Sequence, residues 1–200
     1  MIRTRWTDWL EHVRQCYDRI AERPDKRIVC IGHSMGGLLA LKLAMERPVE
    51  GVVSLATPIY LTSRKPALAV LLQHFIKYVD KKRIAARHII EEACTYDKAP
   101  VPCVVDLRRL LKSVKTSLKQ VRVPVFVAQG EKDGVVHPRS AEFIYHHIAS
   151  PVRQISMYGE TSHAMLLDRE KDRVYADIHG FLQNLDSFGA WKQAAACLSP

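Results

Sequence analysis

Residues 27–37 read Arg27-Ile-Val-Cys-Ile-Gly-His-Ser-Met-Gly-Gly37, an apolar run that goes straight into Gly32-His33-Ser34-Met35-Gly36. G-x-S-x-G between a strand and a helix is the pattern of a nucleophile elbow, a sharp turn that holds a serine hydroxyl out of the fold at the positive end of a helix. Both flanking glycines read as a steric requirement. Side chains two residues before and after the serine would collide with neighbouring backbone at so tight a bend. Residues 38–47, Leu38-Leu-Ala-Leu-Lys-Leu-Ala-Met-Glu-Arg47, are strong helix formers, with Pro48 just beyond. The plainer alternative is an ordinary serine on a tight surface turn. What separates the two is whether a carboxylate and a histidine follow in the order Ser, Asp or Glu, His, each beyond its own strand.

They do follow. Val123-Pro-Val-Phe-Val-Ala-Gln129 is a β-branched run bounded by Gly130-Glu-Lys-Asp133-Gly134, which puts Asp133 in a loop at the carboxyl end of a predicted strand. Glu131 is the competing carboxylate. It lies closer to the strand, and Gly134 gives Asp133 the tight turn that an inward-facing acid needs. A later run, Pro151-Val-Arg-Gln-Ile-Ser-Met-Tyr158, leads into Gly159-Glu-Thr-Ser-His163, with a helical pattern from about Asp168. Of the nine histidines, His163 alone stands in a loop directly after the last strand-like run. His137 is its rival, and a helix-start or loop residue is the plainer reading there. His146 and His147 point to different sides of a predicted helix, and no Cys/His cluster has zinc spacing.

These stretches together resemble bacterial α/β-hydrolase carboxylesterases of the monoacylglycerol-lipase-like kind. The similarity runs through Ile31-Gly-His-Ser-Met-Gly-Gly-Leu38, through Pro124-Val-Phe-Val-Ala-Gln-Gly130 with Asp133 and Pro138-Arg-Ser-Ala141, and from Ser150 through His163 to Asp172. It implies an α/β fold: a three-layer α/β hydrolase with a mostly parallel sheet and a helical lid. Carried over position by position, it makes Ser34 the nucleophile, Asp133 the charge-relay acid and His163 the general base. The backbone N–H of Met35 becomes half of the oxyanion hole. Such enzymes carry about sixty residues before the elbow strand, holding the first strands and the loop that supplies the second oxyanion amide. This sequence opens instead on a helical pattern, with apolar positions 6, 9, 10, 13, 17 and 20 and Thr7 or Asp8 as the N-cap. The expectation is therefore an N-terminally truncated α/β hydrolase.

The visible strands are expected at about 27–32, 51–56, 123–129 and 152–158, read as apolar runs because both faces of the sheet are covered. Residues 1–186 form the hydrolase domain, with a helical lid insertion at about 60–122, and 187–200 form a C-terminal tail without clear pattern. A length of 200 residues with 48 % hydrophobic content suits one domain. No run approaches the ~20 apolar residues that span a bilayer, and no signal core opens the chain. The cysteines, Cys16, Cys30, Cys94, Cys103 and Cys197, are odd in number and unpatterned, which fits a reduced, cytoplasmic protein. Cys30 reads as a small buried thiol in the elbow strand.

Between residues 60 and 122 stand fourteen Lys and Arg against five Asp and Glu, which accounts for the whole formal net charge of +9. A solvated helical face is the simpler reading of this excess. The functional one is a basic lid that makes weak contact with anionic membranes. Nucleic acid is excluded as a partner, since there is no basic helix suited to a groove and no aromatic platform. Within the lid, Leu68, Leu71, Leu72, Phe75 and Ile76 would line an acyl pocket or simply pack.

The expected function is hydrolysis of carboxylic esters, small-molecule esters with short or medium acyl chains or monoacylglycerols, through an acyl-enzyme. No metal or organic cofactor is needed. A peptidase or thioesterase would use the same three residues. The alternative from another class is a non-catalytic relic of the fold that acts as a binding protein. An elbow strand with one flank unpaired is also expected to self-associate through its edge.

Overall fold

Among residues 4–23, 26–62, 78–80 and 98–196, which the computed structural model describes, the chain runs through twelve elements. They are α1 (Trp6–Ala21), β1 (Val29–His33), α2 (Met35–Ala44), β2 (Gly51–Leu55), β3 (Tyr78–Asp80), β4 (Lys98–Pro100), α3 (Val101–Ser117), a 3-10 turn (Leu118–Gln120), β5 (Val125–Gly130), α4 (Arg139–His147), β6 (Arg153–Tyr158) and α5 (Lys171–Ala196). The four apolar runs read from sequence are β1, β2, β5 and β6, within two residues of the expected ends. They pair in parallel in the order β1-β2-β5-β6. Register runs Val29 to Gly51, Val52 to Val125 and Val125 to Arg153. Parallel neighbours need long crossovers, and helices supply them.

Alternation along the strands divides the core in two. Val52, Val125 and Val127 face Leu10 and Tyr17 of α1, Leu38 and Leu41 of α2, Leu110 and Val114 of α3 and Ile144 of α4. Val53, Leu55, Phe126 and Ala128 face the other way, onto Val174, Ile178, Phe181 and Leu185 of α5. Helices, sheet and helix thus form three layers. Every residue of β2 and β5 is buried. The edge strand β1 differs: only Gly32 is buried, and Ile31 is 53 % exposed.

Four expectations need correction. The cap of α1 is Arg5, not Thr7 or Asp8; Asp8 sits one turn in and accepts the Arg5 N–H at 2.8 Å. The stretch 60–122 is not free of strands, because β3 and β4 form a short antiparallel pair. Three residues each are too few to show a strand period. That stretch is also not lid throughout. Helix α3 packs into the core through Val101, Val105, Leu110 and Val114, and it starts directly after Pro100 with Pro102 in its first turn, where a missing N–H costs nothing. Finally, the tail expected from residue 187 continues α5 as far as Ala196. Ala190, Ala194, Ala195 and Ala196 are the best helix formers, and the ~1 kcal/mol cost of Gly189 does not end the helix. The lid residues Leu68, Leu71, Leu72, Phe75 and Ile76, like Cys94 and Cys197, lie outside the described residues.

Candidate active site

The turn from β1 into α2 puts Ser34 at φ 54° and ψ −120°, a backbone that side-chain-bearing residues rarely adopt. Holding it there costs about 1–3 kcal/mol, offset by the surrounding contacts. The Ser34 N–H donates to Leu55 O at 2.8 Å, and the Gly37 N–H donates to Ser34 O at 2.9 Å. A Cβ on Gly32 would lie 2.2 Å from Gly36 O, and one on Gly37 would lie 1.8 Å from Thr57 Oγ1. One on Gly36 would meet nothing within 4 Å. The steric demand therefore falls on Gly32 and Gly37, which corrects the expectation for Gly36. Met35 is the first residue of α2, so no carbonyl of the helix can accept its N–H.

Ser34, His163 and Asp133 come together across the carboxyl ends of the strands. His163 Nε2 is 3.1 Å from Ser34 Oγ, and His163 Nδ1 is 2.8 Å from Asp133 Oδ2. Asp133 is buried, and its carboxylate collects donors on both oxygens. The N–H groups of Val135 and Val136 reach Oδ1 at 2.8 Å each, and Gln129 Nε2 reaches Oδ2 at 2.9 Å. Burial pushes this carboxyl up, but the hydrogen bond and charge of His163, with the two N–H groups, bring it below its ordinary value. The rival Glu131 is exposed, as is His137, whose Nδ1 accepts the Arg139 N–H. His146 and His147 are exposed on α4. No group of His, Cys, Asp and Glu among the described residues could hold a metal.

The loop that carries His163 is tied down at several points. His33 Nε2 lies 2.7 Å from His163 O, and since a carbonyl only accepts, that nitrogen carries the proton. The two rings lie 4.9 Å apart. Burial lowers the His33 pKa more than its hydrogen bond to His163 O raises it. Asp168 accepts the Ser162 N–H at 2.7 Å, and Glu170 accepts the Glu160 N–H and the Thr161 hydroxyl at 2.8 Å. Sequence reasoning missed His33 and Gln129. Both carried a signal: one is the variable residue before the elbow serine, the other a polar residue inside an apolar strand. Cys30, partly buried in β1, has its thiol pushed up by burial.

A strained serine at a strand-to-helix turn, within reach of a histidine and a buried carboxylate on a parallel three-layer sheet, is the arrangement of the α/β hydrolases. The sequence model of one family within that class, described as "Serine aminopeptidase, S33", matches residues 2–170, and the chain belongs to this family. It is 27 % identical over 186 residues to a carboxylesterase of Bacillus subtilis, covering 93 % of this chain and 76 % of that protein. It is 28 % identical over 178 residues to a thermostable monoacylglycerol lipase of Bacillus sp., covering 87 % and 69 %. Among solved structures, a metagenome-derived lipolytic enzyme superposes with a TM-score of 0.82 at 21 % identity, over 92 % of this chain and 75 % of the other. The monoacylglycerol lipase of Paleococcus ferrophilus does so with 0.77 at 16 % identity, over 91 % and 76 %.

Proposed function

We propose that this chain is a serine carboxylesterase acting on small-molecule esters with short or medium acyl chains, or on monoacylglycerols. His163 Nε2 takes the proton from Ser34 Oγ as the oxygen attacks the ester carbonyl. Asp133 holds the imidazole with its proton on Nδ1 and steadies the imidazolium that forms. The Met35 N–H donates to the developing oxyanion, at the positive end of α2. Collapse expels the alcohol, protonated by His163. Water activated by the same imidazole then cleaves the acyl-enzyme, releasing the acid and restoring Ser34.

The observation that supports this reading is the unbroken hydrogen-bond relay from a strained Ser34 through His163 to a buried Asp133. The names of the sequence relatives favour esters over peptides as substrates. Two measurements test the proposal. A fluorophosphonate probe should label the protein on Ser34, and Ser34→Ala should abolish both labelling and hydrolysis of short-chain p-nitrophenyl esters while leaving the circular dichroism spectrum unchanged. Faster turnover of aminoacyl p-nitroanilides than of esters would move the assignment to a peptidase. A folded protein that the probe leaves unlabelled would favour the non-catalytic binding protein instead.

The free thiols of Cys16 and Cys30 support a reducing compartment, the cytoplasm. Among the described residues no helix is long and apolar enough to cross a membrane. The basic excess of 60–122 supports weak contact with anionic membranes. The edge position of β1, with Ile31 exposed, supports pairing with a second copy through that strand.

A further inference from the structure

Gln129 is the one long polar side chain in β5, whose other residues are Val125, Phe126, Val127, Ala128 and Gly130. It is fully buried. Its amide nitrogen faces two acceptors, Asp133 Oδ2 at 2.9 Å and Gly130 O at 3.2 Å. Only the NH₂ end of an amide can serve two acceptors, so the orientation of the group is fixed. The other end is left over: among the described residues no donor reaches Gln129 Oε1. An orphaned buried acceptor destabilises a fold. An apolar residue of the same size would relieve that penalty but remove the donor to Asp133 Oδ2, so what the amide specifically supplies is that donor.

We propose that Gln129 is a positioning residue for the acid. Its N–H fixes the rotation of the Asp133 carboxylate so that Oδ2 is presented to His163 Nδ1. The inference rests on the triad reading above and deepens it. Asp133 Oδ1 is already held by the Val135 and Val136 N–H groups. Those two bonds anchor one oxygen and leave the carboxylate free to swing about it. Oδ2 takes both the Gln129 N–H and the His163 N–H, and the second donor removes that freedom. Gln129 touches no reacting atom; it acts through Asp133 alone.

The experiment uses the whole chain and measures the rate of Ser34 labelling by a fluorophosphonate, kcat and KM for a p-nitrophenyl ester, and the melting temperature. Gln129→Met keeps the volume and removes the amide. A hydrogen bond to a charged group is worth enough to predict a fall of about ten- to a hundredfold in labelling rate and kcat, with KM unchanged. The melting temperature should change little, because the orphaned acceptor leaves the core together with the donor to Asp133. Gln129→His, which keeps an N–H donor, should restore most of the rate. In an Asp133→Asn background Gln129→Met should have no further effect. A Met variant that labels at the parent rate overturns the inference. So does a fall in rate that follows the melting temperature down, or that adds to Asp133→Asn. If the Met variant does not fold, the His variant decides: labelling as slow as Asp133→Asn overturns the proposal, and recovery supports it. An unlabelled parent would overturn the triad reading with it, whereas a labelled parent with an equally labelled Met variant overturns the Gln129 assignment alone.

Discussion

Asp133 and Glu131 stand two residues apart in one loop, and only Asp133 is buried against His163. Asp133→Asn should lower turnover by on the order of 10⁴, because the amide favours the wrong imidazole tautomer. Glu131→Gln should leave it within twofold of the parent, as measured by steady-state hydrolysis of a p-nitrophenyl ester. The reverse ranking would transfer the role. A second pair of substitutions separates two adjacent glycines. Gly37→Ala drives a methyl into Thr57 Oγ1, which is buried and hydrogen-bonded to Ser54, and should cost about 1–3 kcal/mol. Gly36→Ala meets open space and should cost less than half as much by urea titration. That Ser34, Asp133 and His163 come together was legible because chain order and strand-then-loop context bring them to one end of the sheet without knowledge of contacts. The role of His33 was not, since it depends on a carbonyl 130 residues away. Gly37 was hidden by the motif itself, which names only its neighbour.

At the scale of elements, the strands that carry the site could be read because a strand covered on both faces is apolar throughout, and β2 and β5 are. Helix α3 was misplaced for a physical reason. The pair Pro100 and Pro102 reads as a break, yet a proline in the first turn of a helix is tolerated, and the buried positions 101, 105, 110, 114 and 118 begin directly after Pro100. Beyond its buried first turns, the side away from Leu110, Val114 and Leu118 carries Arg108, Lys112 and Lys115, followed by Lys119 and Arg122, spaced by three and four residues. This stripe belongs to the body of the protein, not to a lid. If it meets membranes, binding to vesicles containing phosphatidylglycerol should weaken steeply as salt rises to ~0.15 M, where the Debye length is about 8 Å. Exchanging Lys112 and Lys119 for Glu should remove that binding and leave hydrolysis of a soluble ester unchanged. Equal binding to neutral and anionic vesicles would return the stripe to a solvated face.

For the molecule as a whole, the three-layer plan was implied by the resemblance to α/β hydrolases and the open flank of β1 was expected from the sequence, whereas the place of β6 at the opposite edge was not, because strand order depends on crossovers that a sequence does not state. Two groups of the site, one half-buried and one buried, couple it to pH. His33 and Asp133 both titrate below their ordinary values of 6.5 and 3.8. In each case the unfolded chain binds its proton first as pH falls. Their stabilisation is therefore complete above those values and is lost as pH drops through the folded-state ones. The melting temperature should begin to fall below about pH 6.5 and fall again below about pH 4. His33→Gln should flatten the first stage, and Asp133→Asn the second. The exposure of β1 has a further consequence, in time rather than in structure. Amide hydrogens leave a fold through local openings, and the least covered segments open most often. The strand that delivers Ser34 should therefore exchange with deuterium sooner than 52–55 and 125–128, so the proposed nucleophile hangs on an edge of the sheet that opens before its centre. Phosphonylation of Ser34 should slow exchange across 29–33 and scarcely touch β5. A covalent inhibitor at Ser34 would thus act as a clamp on an edge strand as well as a block on the proposed chemistry.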